Sequence, residues 1–97
     1  MPSYLVETYL ARGDVRGRAA RERTARRAAE ELTAWGTDVR FGRSIYTPED
    51  EVCFFVFDAP SSRDAALAAE QAGLEPVRVV AVVPSGQDVV NAAGEGS

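Results

Sequence analysis

The stretch Glu51–Asp58, EVCFFVFD, decides how this chain is read. It holds three of the four phenylalanines, two valines and the only cysteine of a 97-residue sequence. Both alternating sets of its side chains are apolar. A strand with one wet face alternates apolar and polar residues, so this one reads as a central strand covered on both sides.

Working outward on its N-terminal side, TPEDE at 47–51 is a turn. Pro48 suits its first central position, and Glu49, Asp50 and Glu51 keep it solvated. Before it, DVRFGRSIY at 38–46 predicts an edge strand. Val39, Phe41 and Ile45 share one face with Arg43, and Arg40, Gly42, Ser44 and Tyr46 form the other, more polar face. SYLVETYL at 3–10 predicts a further interior strand, since both of its alternating sets hold apolar residues.

Residues 14–35 between these strands predict a helix. Asp14 is a candidate N-cap. Ala20, Thr24, Ala28, Leu32 and Trp35 recur at helical spacing with Ala25 beside them, and Gly36 is a stop signal. Gly17 weakens the first turn and shifts the expected start toward Arg18. On the C-terminal side of the opening stretch, Ser61 with Asp64 three residues on starts a second helix over 61–72. Leu67, Glu70/Gln71 and Leu74 mark its face, and Gly73 stands at C′ with Leu74 as its apolar partner. PVRVVAVV at 76–83 predicts the last strand, ended by Pro84, Ser85 and Gly86.

The order βαββαβ is that of an α+β, ferredoxin-like fold, a single domain over 1–86 followed by a partly disordered tail at 87–97 in which Val89 and Val90 are candidates to dock. Strands one and three are expected as central, parallel neighbours, with strands four and two at the edges. The sheet has two apolar faces and one layer of helices. A large bare apolar face is rare on a soluble monomer, so the expected cover is a second copy in a C2 dimeric α/β barrel, with the tail as the other candidate.

Composition narrows the function. The formal net charge is −4, which argues against a general nucleic-acid binder. All 11 basic residues are arginines, and histidine is absent, which removes the commonest metal ligand and the usual neutral-pH base. A single cysteine excludes an intramolecular disulfide; mid-strand, Cys53 reads as a buried thiol. No apolar run approaches the roughly 20 residues that span a bilayer, and the N-terminus lacks a basic region followed by an apolar one, so a cytoplasmic protein without membrane contact is expected.

PSYLVETYL at 2–10, VCFFVFDAPS at 52–61 and AALAAEQAGLEPVRVVAV at 65–82 resemble a family of small bacterial proteins commonly described as nickel-binding. The resemblance implies a ferredoxin-like fold and a homodimeric α/β barrel. Nickel or another divalent ion would then fall to carboxylates, with Glu7 and Asp58 the candidates, because the chain cannot supply imidazole.

Glu7 is the best-placed chemical group. It is a mid-strand carboxylate between Val6 and Thr8, costly to bury unless paired. It reads as an ion-pair partner of Arg78 or Arg40, or as a base or ligand in a pocket. Tyr9 and Tyr46 would orient a substrate if Glu7 acted as base; as plain structure they are core rings with wet hydroxyls. Asp58 is a turn residue or a ligand. Arg43 is a snorkelling side chain or an anion binder. The arginines from Arg12 to Arg27, interleaved with Glu22, Glu30 and Glu31, read as a solvated helix face with four-residue ion pairs rather than a phosphate site. No phosphate loop, Cys/His metal spacing, nucleophile elbow or serine–histidine pair is present. The function expected is a small dimeric binder of a ligand or metal ion. The alternative is a cofactor-free cyclase, isomerase or oxygenase acting on a hydrophobic small molecule between sheet and helices.

Overall fold

The computed structural model describes residues 1–83. Its elements follow in the order β1 Ser3–Tyr9, α1 Val15–Ala34, β2 Arg40–Thr47, β3 Val52–Asp58, α2 Ser62–Gln71 and β4 Arg78–Val82. They build one four-stranded sheet in the order β2-β3-β1-β4. The α+β, ferredoxin-like arrangement expected from the sequence is compatible with this topology, and the two strands expected at the centre, β1 and β3, are the two central ones. The expected behaviour of residues 84–97 lies outside the described residues.

The relation between the central strands is corrected: β1 and β3 are antiparallel neighbours. The chain leaves β1, crosses over α1 and enters β2 one strand further on. The short turn at 47–51 then sends β3 back through the gap between them, so β3 opposes both neighbours. Asp50 N donates to Thr47 O at 3.2 Å and Glu51 N to Pro48 O at 3.2 Å, closing that turn. Glu51 belongs to the turn, not the strand, and adopts φ 53°. β4 pairs antiparallel with β1 on the other side.

Both helices lie on one face of the sheet. Toward them point Tyr4, Val6 and Thr8 from β1 and Cys53, Phe55 and Phe57 from β3, all buried. The helices answer with their smallest side chains: Ala25, Ala28, Ala29 and Leu32 from α1, and Ala65, Ala68 and Ala69 from α2. Alanine lets a helix backbone approach closely, and the fully buried Phe55 and Phe57 rings fill the layer between. This explains three further corrections. Trp35 and Leu67 were expected on the buried stripes, yet they are 70% and 43% exposed, and Thr24 is exposed as well. With the layer already filled from the sheet, the helix faces that fit are the alanine ones.

The helix ends follow the sequence closely. Asp14 caps α1 by accepting from Gly17 N at 2.9 Å. A β-carbon at position 17 would collide with the Asp14 carboxylate, so the glycine admits this cap rather than delaying the helix. Ser61 caps α2, accepting from Asp64 N at 3.2 Å. At the C-terminal ends Gly36 and Gly73 take φ +109° and +75°. Those left-handed turns allow Thr37 N to reach Leu32 O at 2.9 Å and Leu74 N to reach Ala69 O at 3.0 Å.

β2 contains the one feature that alters which residues face where. Phe41 pairs with Phe57, but Arg43 pairs with Val56, so Gly42 is an extra residue in the ladder. Such a bulge inverts the alternation beyond it. Ser44 and Tyr46 therefore turn toward the helices while Arg43 and Ile45 turn away, the reverse of the expected grouping for Ser44, Tyr46 and Ile45 with Phe41.

Candidate functional site

The face of the sheet opposite the helices carries Ser3, Leu5, Glu7 and Tyr9 of β1. Cross-strand partners share a face. Leu5 sits between Val80 and Val56, and Arg43 lies beyond Val56. Glu7 sits between Arg78 and Phe54, with Ile45 beyond Phe54. The outcome is a continuous apolar band, bordered by Glu7 and Arg78 at one side and by Ser3 and Asp58 along the strands. No element among the described residues covers it.

Each expected site residue has a definite place. Glu7 pairs with Arg78, Nε to Oε1 at 3.0 Å, as one of the two expected arginine partners. The Glu7 side chain is 20% exposed and that of Arg78 69% exposed. Arg40 instead lies 3.9 Å from Asp38. Asp58 accepts a short hydrogen bond from the Ser3 hydroxyl. Tyr9 is exposed, its hydroxyl 3.5 Å from Glu51 Oε1. Tyr46 lies on the helix side, donating to Leu10 O at 2.9 Å. Burial, and next the Glu51 carboxylate, push the Tyr46 phenol above its usual pKa.

These residues do not converge. Glu7 and Tyr9 are on the open face and Tyr46 is on the other, so no sheet–helix cavity brings the three together. Glu7 and Asp58 share a face, but Asp58 is opposite Ser3, four residues up β1 from Glu7. At about 3.4 Å per residue that is about 14 Å, whereas two oxygens on one ion lie within about 5 Å of each other. One ion therefore does not bridge them within a chain. Among the described residues no group of three or more acidic, cysteine or histidine side chains is placed to hold a metal. The donors among the described residues do not fit the nickel site that the family resemblance implies.

A second cluster joins α1 to β2. Arg18 Nε donates to Ser44 Oγ at 2.9 Å and its Nη2 to Ser44 O at 3.1 Å. The Ser44 hydroxyl donates to the Glu22 carboxylate. Arg18 also lies 5.8 Å from the centre of the Tyr46 ring. Arg21 Nη1 donates to Tyr9 O at 2.7 Å. Under this seam lies Cys53, fully buried. Burial pushes its thiol up in pKa, opposed by Arg18, by the Ser44 hydrogen bond and by Arg21. Arg18 and Arg21 thus stitch α1 to the sheet, while Arg16, Arg23 and Arg27 stay on the solvated face, and neither ion pair found among the described residues is on α1. Sequence periodicity missed this seam because the bulge at Gly42 is what aims Ser44 at the helix.

A third feature is a cleft of about 440 Å³ between the C-terminal half of α1 and the start of β2, lined among others by Arg26, Ala29, Glu30, Val39 and Phe41. None of these was singled out as a ligand contact in the sequence. Arg26 and Glu30 are one helical turn apart, but nothing local signals that β2 closes the other wall.

Among the described residues no helix is long and apolar enough to cross a membrane. Comparison with protein-family models, with curated proteins and with solved structures finds no match.

Proposed function

We propose that this chain works as a homodimeric small-ligand-binding protein, two copies packing through their open sheet faces in a dimeric α/β barrel. The observation that carries this is the apolar band of Leu5, Phe54, Val56, Val80 and Ile45 on a face that the helices leave bare. Water contact over such a band is costly at about 25 cal/mol per Å². The face also suits a second copy of itself. It carries both signs of charge, Glu7 and Asp58 beside Arg43 and Arg78, so two identical faces need not repel.

Binding rather than covalent chemistry is supported by the state of the polar groups. Glu7 is neutralised by Arg78, and the Tyr46 hydroxyl is taken by a backbone carbonyl on the opposite side of the sheet.

Sedimentation equilibrium at micromolar concentration tests the dimer. The native chain is expected at twice its own mass, and Phe54→Arg, placing a charge in the band, at one chain mass with its circular dichroism retained. A native chain at single mass overturns the proposal. Calorimetry with Ni²⁺ on tag-free protein is expected to show no saturable heat that Glu7→Gln removes.

A further inference from the structure

We infer that the outer edge of β4 is a docking site for residues 87–91 of this same chain, which pair with it as a fifth, antiparallel strand after a three-residue turn at 84–86. This goes beyond the dimer proposed above and does not depend on it, because the edge and the open face are separate surfaces.

The two edges of the sheet are built differently. β2 bulges at Gly42 and carries the exposed Arg40 and Arg43. Both devices discourage a further strand. β4 has neither. Its register against β1 runs unbroken from Arg78 to Val82, and its one charge, Arg78, is held by Glu7. Val77, Val80 and Val83 are exposed along it.

The hydrogen bonds around β1 show which backbone groups of β4 are bare. Leu10 N donates to Glu51 O at 2.9 Å and Ala59 N to Pro2 O at 3.0 Å, so the even-numbered residues of this segment turn their backbone groups toward β3. Val77 N donates to Glu7 O at 2.7 Å, so the odd-numbered ones turn toward β4. Opposite the odd-numbered residues stand Val82, Val80 and Arg78. Val79 and Ala81 therefore direct their N–H and C=O away from the sheet, and Val83 continues that parity.

The chain that follows fits this edge. Val83 leads into Pro84, Ser85 and Gly86, then Gln87, Asp88, Val89, Val90 and Asn91. Proline holds φ near about −65°, which forbids the two-residue hairpin turns, since these need a positive φ at their first position. It suits the first position of a three-residue loop, a type I turn followed by a residue in the left-handed region, and Gly86 stands where that residue is needed. Such a loop makes Val83 and Gln87 a hydrogen-bonded pair. Ala81 with Val89 and Val79 with Asn91 are then hydrogen-bonded pairs too, so the groups taken up are the bare ones. Between them Val82 meets Asp88 and Val80 meets Val90. Val89 falls on the helix side beside Ala81, and Val90 extends the apolar row of Val56, Leu5 and Val80 on the open face. Each valine thus finds an apolar neighbour on its own face. With the edge taken, growth by strand addition is closed, and the open face is what remains for a second copy.

The test is NMR on the uniformly labelled full chain. Hα–Hα contacts are expected between Val82 and Asp88 and between Val80 and Val90, the close pairs that alternate with the hydrogen-bonded ones. The Val79 and Ala81 amides are expected to exchange slowly. Gly86→Val puts a branched residue at a positive φ and is expected to speed their exchange about ten-fold. Unchanged Val6 and Phe55 amides show that this variant is folded; if it does not fold, the contacts in the native chain decide. Random-coil shifts over 87–91, or contacts from these residues to Phe54 instead, overturn the assignment. So do Val80 to Val90 contacts seen only between labelled and unlabelled chains of a mixed sample, and so does exchange at Val79 and Ala81 that Gly86→Val leaves unchanged. A failed dimer shows in sedimentation and leaves this result untouched.

Discussion

The two faces of the sheet are built from the same two strands and differ in everything else. On β3, Cys53, Phe55 and Phe57 are buried under helices, while Val52, Phe54 and Val56, one residue away, are only half-buried on the bare side. The covered face meets alanines at close range; the open face meets no other element among the described residues. Neighbouring phenylalanines of identical chemistry, Phe54 and Phe55, therefore do different jobs. One is a core ring, and the other is available surface.

The largest effects should separate these faces. Phe55→Ala leaves a cavity under the helices and is expected to cost about 3–5 kcal/mol in urea unfolding. Phe54→Ala, measured at a concentration where the chain is a monomer, is expected to cost well under half of that. Equal losses would mean that the open face is packed after all.

Overpacking probes the covered side in the other direction. Ala68→Leu pushes a branched side chain into a fully buried position and is expected to cost about 1–3 kcal/mol, whereas the already exposed Leu67 should tolerate alanine within about 0.5 kcal/mol.

The titration of Cys53 sharpens the contrast further. Its thiol is raised in the folded state, so the unfolded chain ionises first. The resulting stability is present in full below the unfolded thiol pKa and is lost as pH rises toward the folded one. Stability is expected to fall above about pH 8.5, and Cys53→Ala should flatten that fall even though it lowers stability at neutral pH. Denaturation midpoints across this range check the sign. Tyr46, raised as well, acts in the same direction at still higher pH.

The smallest effect belongs to the open face. Glu7 and Arg78 are close, but the arginine is well exposed, so a double-mutant cycle in the monomer should give about 0.2–1 kcal/mol. A much larger coupling would place the pair inside an interface.

Much of the architecture was legible in the chain itself. EVCFFVFD and SYLVETYL name the central strands because apolar residues on both alternating sets need neighbours on both sides. Ser61 with Asp64, and Gly36 and Gly73, mark helix ends by chemistry that acts within a few residues. Even the Glu7–Arg78 pair was within reach as one of two choices. The site was less legible. Glu7, Tyr9 and Tyr46 read as a base with two hydroxyls to orient a substrate, yet the register that pairs Tyr46 with Cys53 sends Tyr46 to the other side.

The sequence by itself determined the elements, their order and the central pair, since period, capping and turn chemistry are local. Only the tertiary structure decided that β1 and β3 run antiparallel, that alanine faces rather than Trp35 or Leu67 meet the sheet, and that Gly42 reverses the parity of β2. It alone brought Arg18 and Glu22 onto Ser44. The reason is physical. Which face of a strand or helix is buried depends on the volume its partner has already filled and on one-residue shifts of register, and neither is encoded within a single element.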